Sequence, residues 1–280
     1  MDWRRPTVEY SLAVAILQRE IAEVQAFSGA VCATKQTRPA ITRAMRYRCE
    51  TTSVEGLVQL LACNYLPHGY WFYVTGAIPM HKDVRQVDAK LIAKYGIDVL
   101  RTARARRKRS GRANMQYLRH DRFFVLLATR GTHLFFAEES ACVRDARETP
   151  LQFAGYAVSY RRGNRKRDGT ADNRWHSHVQ IERGRYNELK AYFLEIAARR
   201  SADRLAREFY YLPFEPYAPV RRQLLSILRA VNRARRQAGF EPLPYDVLPL
   251  RRRVVKPFEP LPWRVAGLNS AEGRPAVGPE

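Results

Sequence analysis

Between Arg101 and Arg130 the chain changes character within a few residues. The first half carries Arg101, Arg104, Arg106, Arg107, Lys108, Arg109 and Arg112 and no acidic residue. The second half contains Phe123 to Ala128 (FFVLLA), an unbroken apolar run. A run this short and this apolar fits a strand buried on both faces. Cations joined directly to such a strand are held on a scaffold rather than on a loose tail. Seven cations in twelve residues repel one another unless an anion offsets them, so the stretch points to a polyanionic partner.

The whole chain shares that bias. Lys plus Arg is 49 against 27 for Asp plus Glu, a formal net charge of +22. The usual partner of a clustered charge of this size is nucleic acid, DNA or RNA, with an anionic membrane surface second. Hydrophobic residues make up 46% of the 280, enough for a proper core. No stretch approaches the length of a membrane span, and the N-terminus has no signal-peptide layout. The four cysteines, Cys32, Cys49, Cys63 and Cys142, form no CxxC and no secreted disulfide framework. A cytoplasmic protein is the expectation.

Local patterns divide the chain. Residues 8–27 have apolar positions at helical spacing, stopped by Gly29. Ser53 suits the N-cap of a helix through Leu57 and Leu61 that Pro67 and Gly69 end. Tyr70 to Thr75 is aromatic and β-branched and reads as a strand. Asp83 then caps a helix with Val84, Val87, Leu91 and Tyr95 inward, closed by Gly96. Met115–Leu118 and Arg122–Thr129 read as a hairpin turned at His120 and Asp121. Phe153 to Tyr160 and His176 to Glu182 are strands joined by a long loop rich in Gly, Asn and Asp, and Tyr186 to Ala198 is a helix.

This order predicts an α+β fold, an antiparallel sheet of ferredoxin-like or RRM-like type, with helical N- and C-terminal additions. The expected organisation is a helical region over 1–67, an α+β core over 68–200, basic C-terminal helices over 201–256, and a Pro- and Gly-rich, disordered tail over 257–280. The segment LPFEPYAP, with Pro213, Pro216 and Pro219, reads as a stiff linker.

Three further features bear on function. The loop after the Phe153 strand carries Arg161, Arg162, Arg165, Lys166 and Arg167. In the helix over 220–236, Val220, Leu224, Ile227 and Val231 share one face, and Arg222, Arg229, Arg233 and Arg236 share the other. Arginine forks take phosphates bidentately and stack on bases, as lysine cannot. Tyr70, Trp71, Phe72, Tyr73, Tyr156 and Tyr160 would stack bases if the sheet face were open, and build the core if it were not.

One pattern hints at catalysis. In WHSHVQIE, strand alternation puts His176, His178 and Glu182 on one face, a set suited to a divalent metal. Tyr186 opens the following helix. This is similar to the HUH endonucleases of rolling-circle replication and transposition, which use a His-hydrophobic-His strand, a metal and a helix-borne tyrosine that attacks DNA. The resemblance implies Tyr186 as nucleophile and Mg or Mn at His176, His178 and Glu182. The sequence departs from that pattern at Ser177, which stands where a hydrophobe belongs. Tyr186 also follows closely and falls on the helix's inward stripe. The leading expectation is a nucleic-acid-binding protein that contacts the phosphate backbone through Arg-rich loops, 101–112 and 161–167, and a basic helix, and needs no cofactor, with a metal-dependent single-strand nicking endonuclease as its alternative.

Overall fold

The computed structural model describes residues 47–163 and 169–259. The helix expected over 8–27 and most of the expected tail lie outside these residues. So do Arg165, Lys166 and Arg167.

The local signals of the N-terminal half act where the sequence puts them. Ser53 Oγ accepts from Gly56 N at 3.0 Å and caps helix α1, Val54–Gln59. The helix runs on through a π-turn, Leu60–Tyr65, and a 3-10 turn, Leu66–His68, and stops at Gly69 with φ +93°. Strand β1 spans Phe72–Ala77, two residues later than expected. The amide of Tyr70 is already engaged, donating to Tyr65 O at the helix end at 3.2 Å. Asp83 caps α2, Val84–Lys94, and Gly96 closes it with φ +55°.

The cationic run is helix α3, Arg101–Arg109, and not a loop. Alanine and arginine are strong helix formers, and Arg106 to Arg109 fill the last turn, where the helix dipole favours cations. Strands β2, Met115–His120, and β3, Phe123–Ala128, form the expected hairpin, with Asp121 at φ +51° in its turn. Helix α4, Leu134–Glu138, and the short strand β4, Arg144–Asp145, follow. The strand expected over Phe153–Tyr160 is instead two, β5, Leu151–Phe153, and β6, Tyr156–Arg162. Ala154 and Gly155 lie between them at φ +47° and +75°, the left-handed pair of a tight hairpin turn. Strand β7, Trp175–Ile181, leads into α5, Arg183–Ile196. Helices α6, Ala202–Tyr210, and α7, Ala218–Gln237, complete the set.

The fold is α+β with two antiparallel sheets. Strands β1 to β4 pair in the order β2-β3-β1-β4, and β5 to β7 in the order β5-β6-β7. Along the chain the first sheet runs strand, two helices (α2 and α3), strand, strand, helix, strand, a split βαβ arrangement with one helix more than the simple ferredoxin-like order. Ala146 joins the two sheets: its amide donates to Trp71 O at 2.8 Å and its carbonyl accepts from Tyr160 N at 2.9 Å.

Both faces of the first sheet are covered. On one, Val74, Met115, Tyr117, Leu126 and Ala128 pack against Ile92 and Tyr95 of α2 and Phe135 of α4. On the other, Tyr73, Leu118, Val125 and Leu127 share a cluster with Leu61, Val158, Phe193, Leu224 and Ile227. Tyr70, Tyr73, Tyr156 and Tyr160 are all buried in this second cluster. These tyrosines build the core and present no open sheet face to a base. The expected linker is docked as well. Phe214 is buried against the Tyr156 ring, and Glu215 N donates to Tyr156 Oη at 2.7 Å.

One polar pair crosses the first layer. Arg119 Nε donates to both carboxylate oxygens of Asp88 at 3.0 Å, with both residues almost wholly buried. Tyr117 Oη donates to the same carboxylate at 2.6 Å. Breaking such a pair leaves a charge stranded in the core. Arg119→Leu should therefore cost about 3–5 kcal/mol of stability, whereas Asp88→Leu with Arg119→Met should recover most of it. Urea unfolding of the three proteins checks this. A double variant no more stable than Arg119→Leu would show that the charges are not the source of the loss.

Candidate nucleic-acid interface

Helix α3 is fastened at a few points. Arg107 Nη1 donates to Gly96 O at 3.0 Å, and Asn114 Nδ2 donates to Arg104 O at 3.0 Å. Arg104 and Arg107 are accordingly half-buried. Arg101, Arg106, Lys108 and Arg109 on the helix, and Arg112 just after it, are exposed. No acidic residue occurs between Asp98 and Asp121. Among the described residues, no ion pair neutralises any of these cations. Cations three and four apart on one helix repel. The helix therefore carries an electrostatic cost that a bound anion would relieve.

A second cationic surface involves β6, β7 and α7. The helix lies on the edge strand β7, where the Gln223 side chain accepts from Ile181 N at 2.7 Å and donates to Ile181 O at 3.0 Å. Its inner face buries Val220, Leu224, Ile227 and Val231, while Arg222, Arg229, Arg233 and Arg236 are exposed. Arg161 and Arg162, at the end of β6, are exposed too. Arg161 and Arg222 converge electrostatically on His178. Burial, followed by these two guanidinium groups, holds its imidazole below the usual histidine range. One residue of the hairpin and one of the basic helix thus lie within electrostatic reach of the same imidazole. Nothing in the sequence spacing relates positions 161 and 222.

The residues of the metal-site alternative have other engagements. Glu182 is the N-cap of α5 and not the last residue of a strand. Its carboxylate accepts from Gly184 N and Arg185 N, both at 3.0 Å. His176 Nε2 donates to Asp172 at 2.8 Å. His178 is half-buried. Among the described residues, no three histidine, cysteine or acidic side chains are grouped so as to hold a metal ion, so His176, His178 and Glu182 do not converge on one. Tyr186 packs partly against the core, with its hydroxyl 3.3 Å from Ser226 Oγ of α7.

Other polar side chains stabilise the fold. His120 Nδ1 lies 3.0 Å from Thr51 O. Asp88 and Arg119 line a cleft of ≈ 840 Å³ with Glu50, Arg85 and Asp98. The Cys49 thiol beside Asp88 is pushed up to about 12 by burial and by that carboxylate, so it stays protonated and is not a nucleophile at neutral pH. Sequence reasoning missed Trp175, which is exposed at the start of β7 beside Arg162. Its signal was an aromatic residue flanked by Arg174 and His176 at the mouth of a basic loop.

No protein-family model, curated protein or solved structure matches the chain.

His133, beside α3, gives a test of this region at low pH. Its Nδ1 accepts from Phe135 N at 3.1 Å and caps α4, which requires an unprotonated nitrogen. Burial first, then Arg107, lowers its proton affinity from the ordinary 6.5. With the folded value lowered, the cap is intact above 6.5 and its contribution is lost as pH falls from there toward the folded value. His133→Asn keeps an acceptor and does not titrate. It should match the wild type near neutrality and gain on it toward about pH 5, by no more than a cap is worth, about 0.5–2 kcal/mol. Urea midpoints against pH check this, and parallel curves would exclude His133 as the titrating group.

Proposed function

We propose that this chain binds nucleic acid through its phosphate backbone, with α3 as the principal contact and the β6–α7 surface as the second. The observation that carries the reading is α3 itself, whose outward cations are met by no acidic side chain among the described residues. The helix is anchored to folded structure by Arg107 and Asn114, so the backbone that carries its charges is in place before any partner arrives. Arginines on an already folded helix have less chain entropy to lose on meeting a phosphate than those of a free tail. The endonuclease alternative has no comparable support, because its three metal residues do not come together.

No helix among the described residues is long and apolar enough to cross a membrane. A cytoplasmic setting accords with this function and with the free thiols of Cys49, Cys63 and Cys142.

Binding of this kind displaces condensed counterions and so weakens with salt. If about six phosphates are neutralised, log K should fall against log salt with a slope near −5 on duplex DNA. Reversing Arg101, Arg106 and Arg109 together to Glu should weaken binding more than reversing Arg222, Arg229 and Arg233. Every phosphate left without its cation should flatten the slope by about 0.9. Fluorescence anisotropy over a salt series measures both. A flat salt response of the wild type would remove the reading, and equal losses in the two triple variants would mean a diffuse field in place of a principal contact.

A further inference from the structure

Five side chains form a column along the junction of the two sheets. Arg147 lies over the Trp71 ring at 4.4 Å. Trp71 stacks on Tyr160 with centroids 6.1 Å apart and planes 22° apart. Tyr160 stacks on Trp175 at 5.7 Å and 18°. Arg162, directly across the ladder from Trp175, lies over that ring at 5.9 Å.

The inner end of the column is fixed. Arg147 is paired with Asp145 by three side-chain hydrogen bonds of 2.6–3.1 Å. Trp71 Nε1 donates to Leu66 O at 3.0 Å, and Tyr160 is buried, its amide tied to Ala146. The outer end is open. Trp175 shares a strand face with Ser177, Val179 and Ile181, the last two fully buried, but it stands beyond the core and is 40% exposed. Arg161, Arg162, Arg174 and His176 around it are exposed as well. A large apolar ring held in a fixed plane among cations does little for packing and is suited to a flat, electron-rich, anionic partner.

We propose that Trp175 is a stacking platform for an unpaired base, and that the chain therefore prefers single-stranded nucleic acid, whose adjoining phosphates Arg162 and Arg174 hold. This rests on the nucleic-acid reading given above and narrows it to one class of partner. A duplex keeps its bases stacked on each other and offers no free face. A single strand turns its bases outward, and any base will stack, because all have a π-face. Arg162 sits near the limit of cation–π range, so it yields the ring to a base at small cost and turns to the phosphate. Tyr160 behind the ring keeps its plane fixed, so little ordering remains for binding to supply.

The test compares the full chain with its Trp175→Ala, Trp175→Leu and Trp175→Phe variants. The probes are a fluorescein-labelled oligothymidylate of about 12 nucleotides, within the range such sites cover, and a duplex of equal length, both at one fixed salt concentration. Trp175→Ala should bind the single strand roughly 5- to 150-fold more weakly, the loss expected when one stacking ring is removed. Trp175→Phe should retain most of the affinity, and duplex binding should be nearly unchanged throughout. The single strand, and not the duplex, should quench tryptophan emission of the wild type, and Trp175→Phe should lose most of that quenching. Should Trp175→Ala unfold, Trp175→Leu keeps the bulk and lacks the π-face, and it should show the same selective loss. Unchanged affinity, or equal loss on single strand and duplex, overturns the stacking platform and leaves phosphate binding standing. Failure of the wild type to bind either probe overturns the nucleic-acid reading itself.

Discussion

A guanidinium buried against a carboxylate, Arg119 on Asp88, holds the layers of this protein in register. Asp88 comes from α2 and Arg119 from β2, so the pair sets where the helix lies on the sheet. Arg119 also reaches the segment before α1. Its amide donates to Cys49 O at 2.8 Å, its carbonyl accepts from Thr51 N at 2.7 Å, and its Nη2 meets Glu50 at 3.1 Å. Three parts of the chain thus converge on one side chain. A charge is tolerated at such depth only when it is paired and hydrogen-bonded. In a chain short of acids, that requirement governs where the acids go.

Several acids are consumed in this way. Glu215, buried, meets Arg253 at 2.9 Å and draws the segment after residue 250 back onto the body. Asp145 holds Arg147 beneath the Trp71 ring. Glu182 caps α5. Each such acid is placed where backbone or core needs it, and among the described residues the outward arginines of α3 and α7 receive none. The uncompensated charge on those helices follows from how the acids are used, and a basic composition alone would not localise it. Two acid-free stretches, from Val99 to His120 and from Pro216 to Phe240, are its sequence trace.

Much of the fold could be read because its signals are local. Ser53, Asp83 and Gly96 each act within a turn of their own position, and a two-residue break announced the β2–β3 hairpin. The α+β class followed from the order of such elements. Three kinds of feature could not be read. Helix α3 has no apolar stripe, so periodicity was silent and only residue propensity hinted at it. The Ala154–Gly155 turn was hidden in a run that looked like a continuous strand, although Gly155 was its clue. The burial of Asp88 and Arg119 depends on a partner 31 residues away, and either residue alone would be assigned to the surface. For the candidate site, the exposed face of α7 was legible from its 100° spacing. The convergence of Arg161 with Arg222 and the column ending at Trp175 needed the strand pairing.

The arginines therefore fall into two populations that the sequence does not separate. Arg235 belongs to the same helix as Arg233 and Arg236, yet it is buried. It donates to Ala197 O at 2.8 Å, Arg200 O at 3.0 Å and Glu241 O at 2.7 Å. It satisfies carbonyls at the end of α5 and the loop after α7, a role that needs no acid and leaves its charge facing protein. Arg107 does the same for Gly96 at the end of α2. Arginine suits this work because its planar fork reaches several carbonyls at once without losing its proton. The charge available to an outside partner is thus what remains after the fold has taken its share. What remains includes one face of α7, the outer side of α3 and the surroundings of Trp175, while other exposed cations, Arg48, Arg85, Arg130, Arg183, Arg207 and Arg251 among them, are spread over the rest of the described surface.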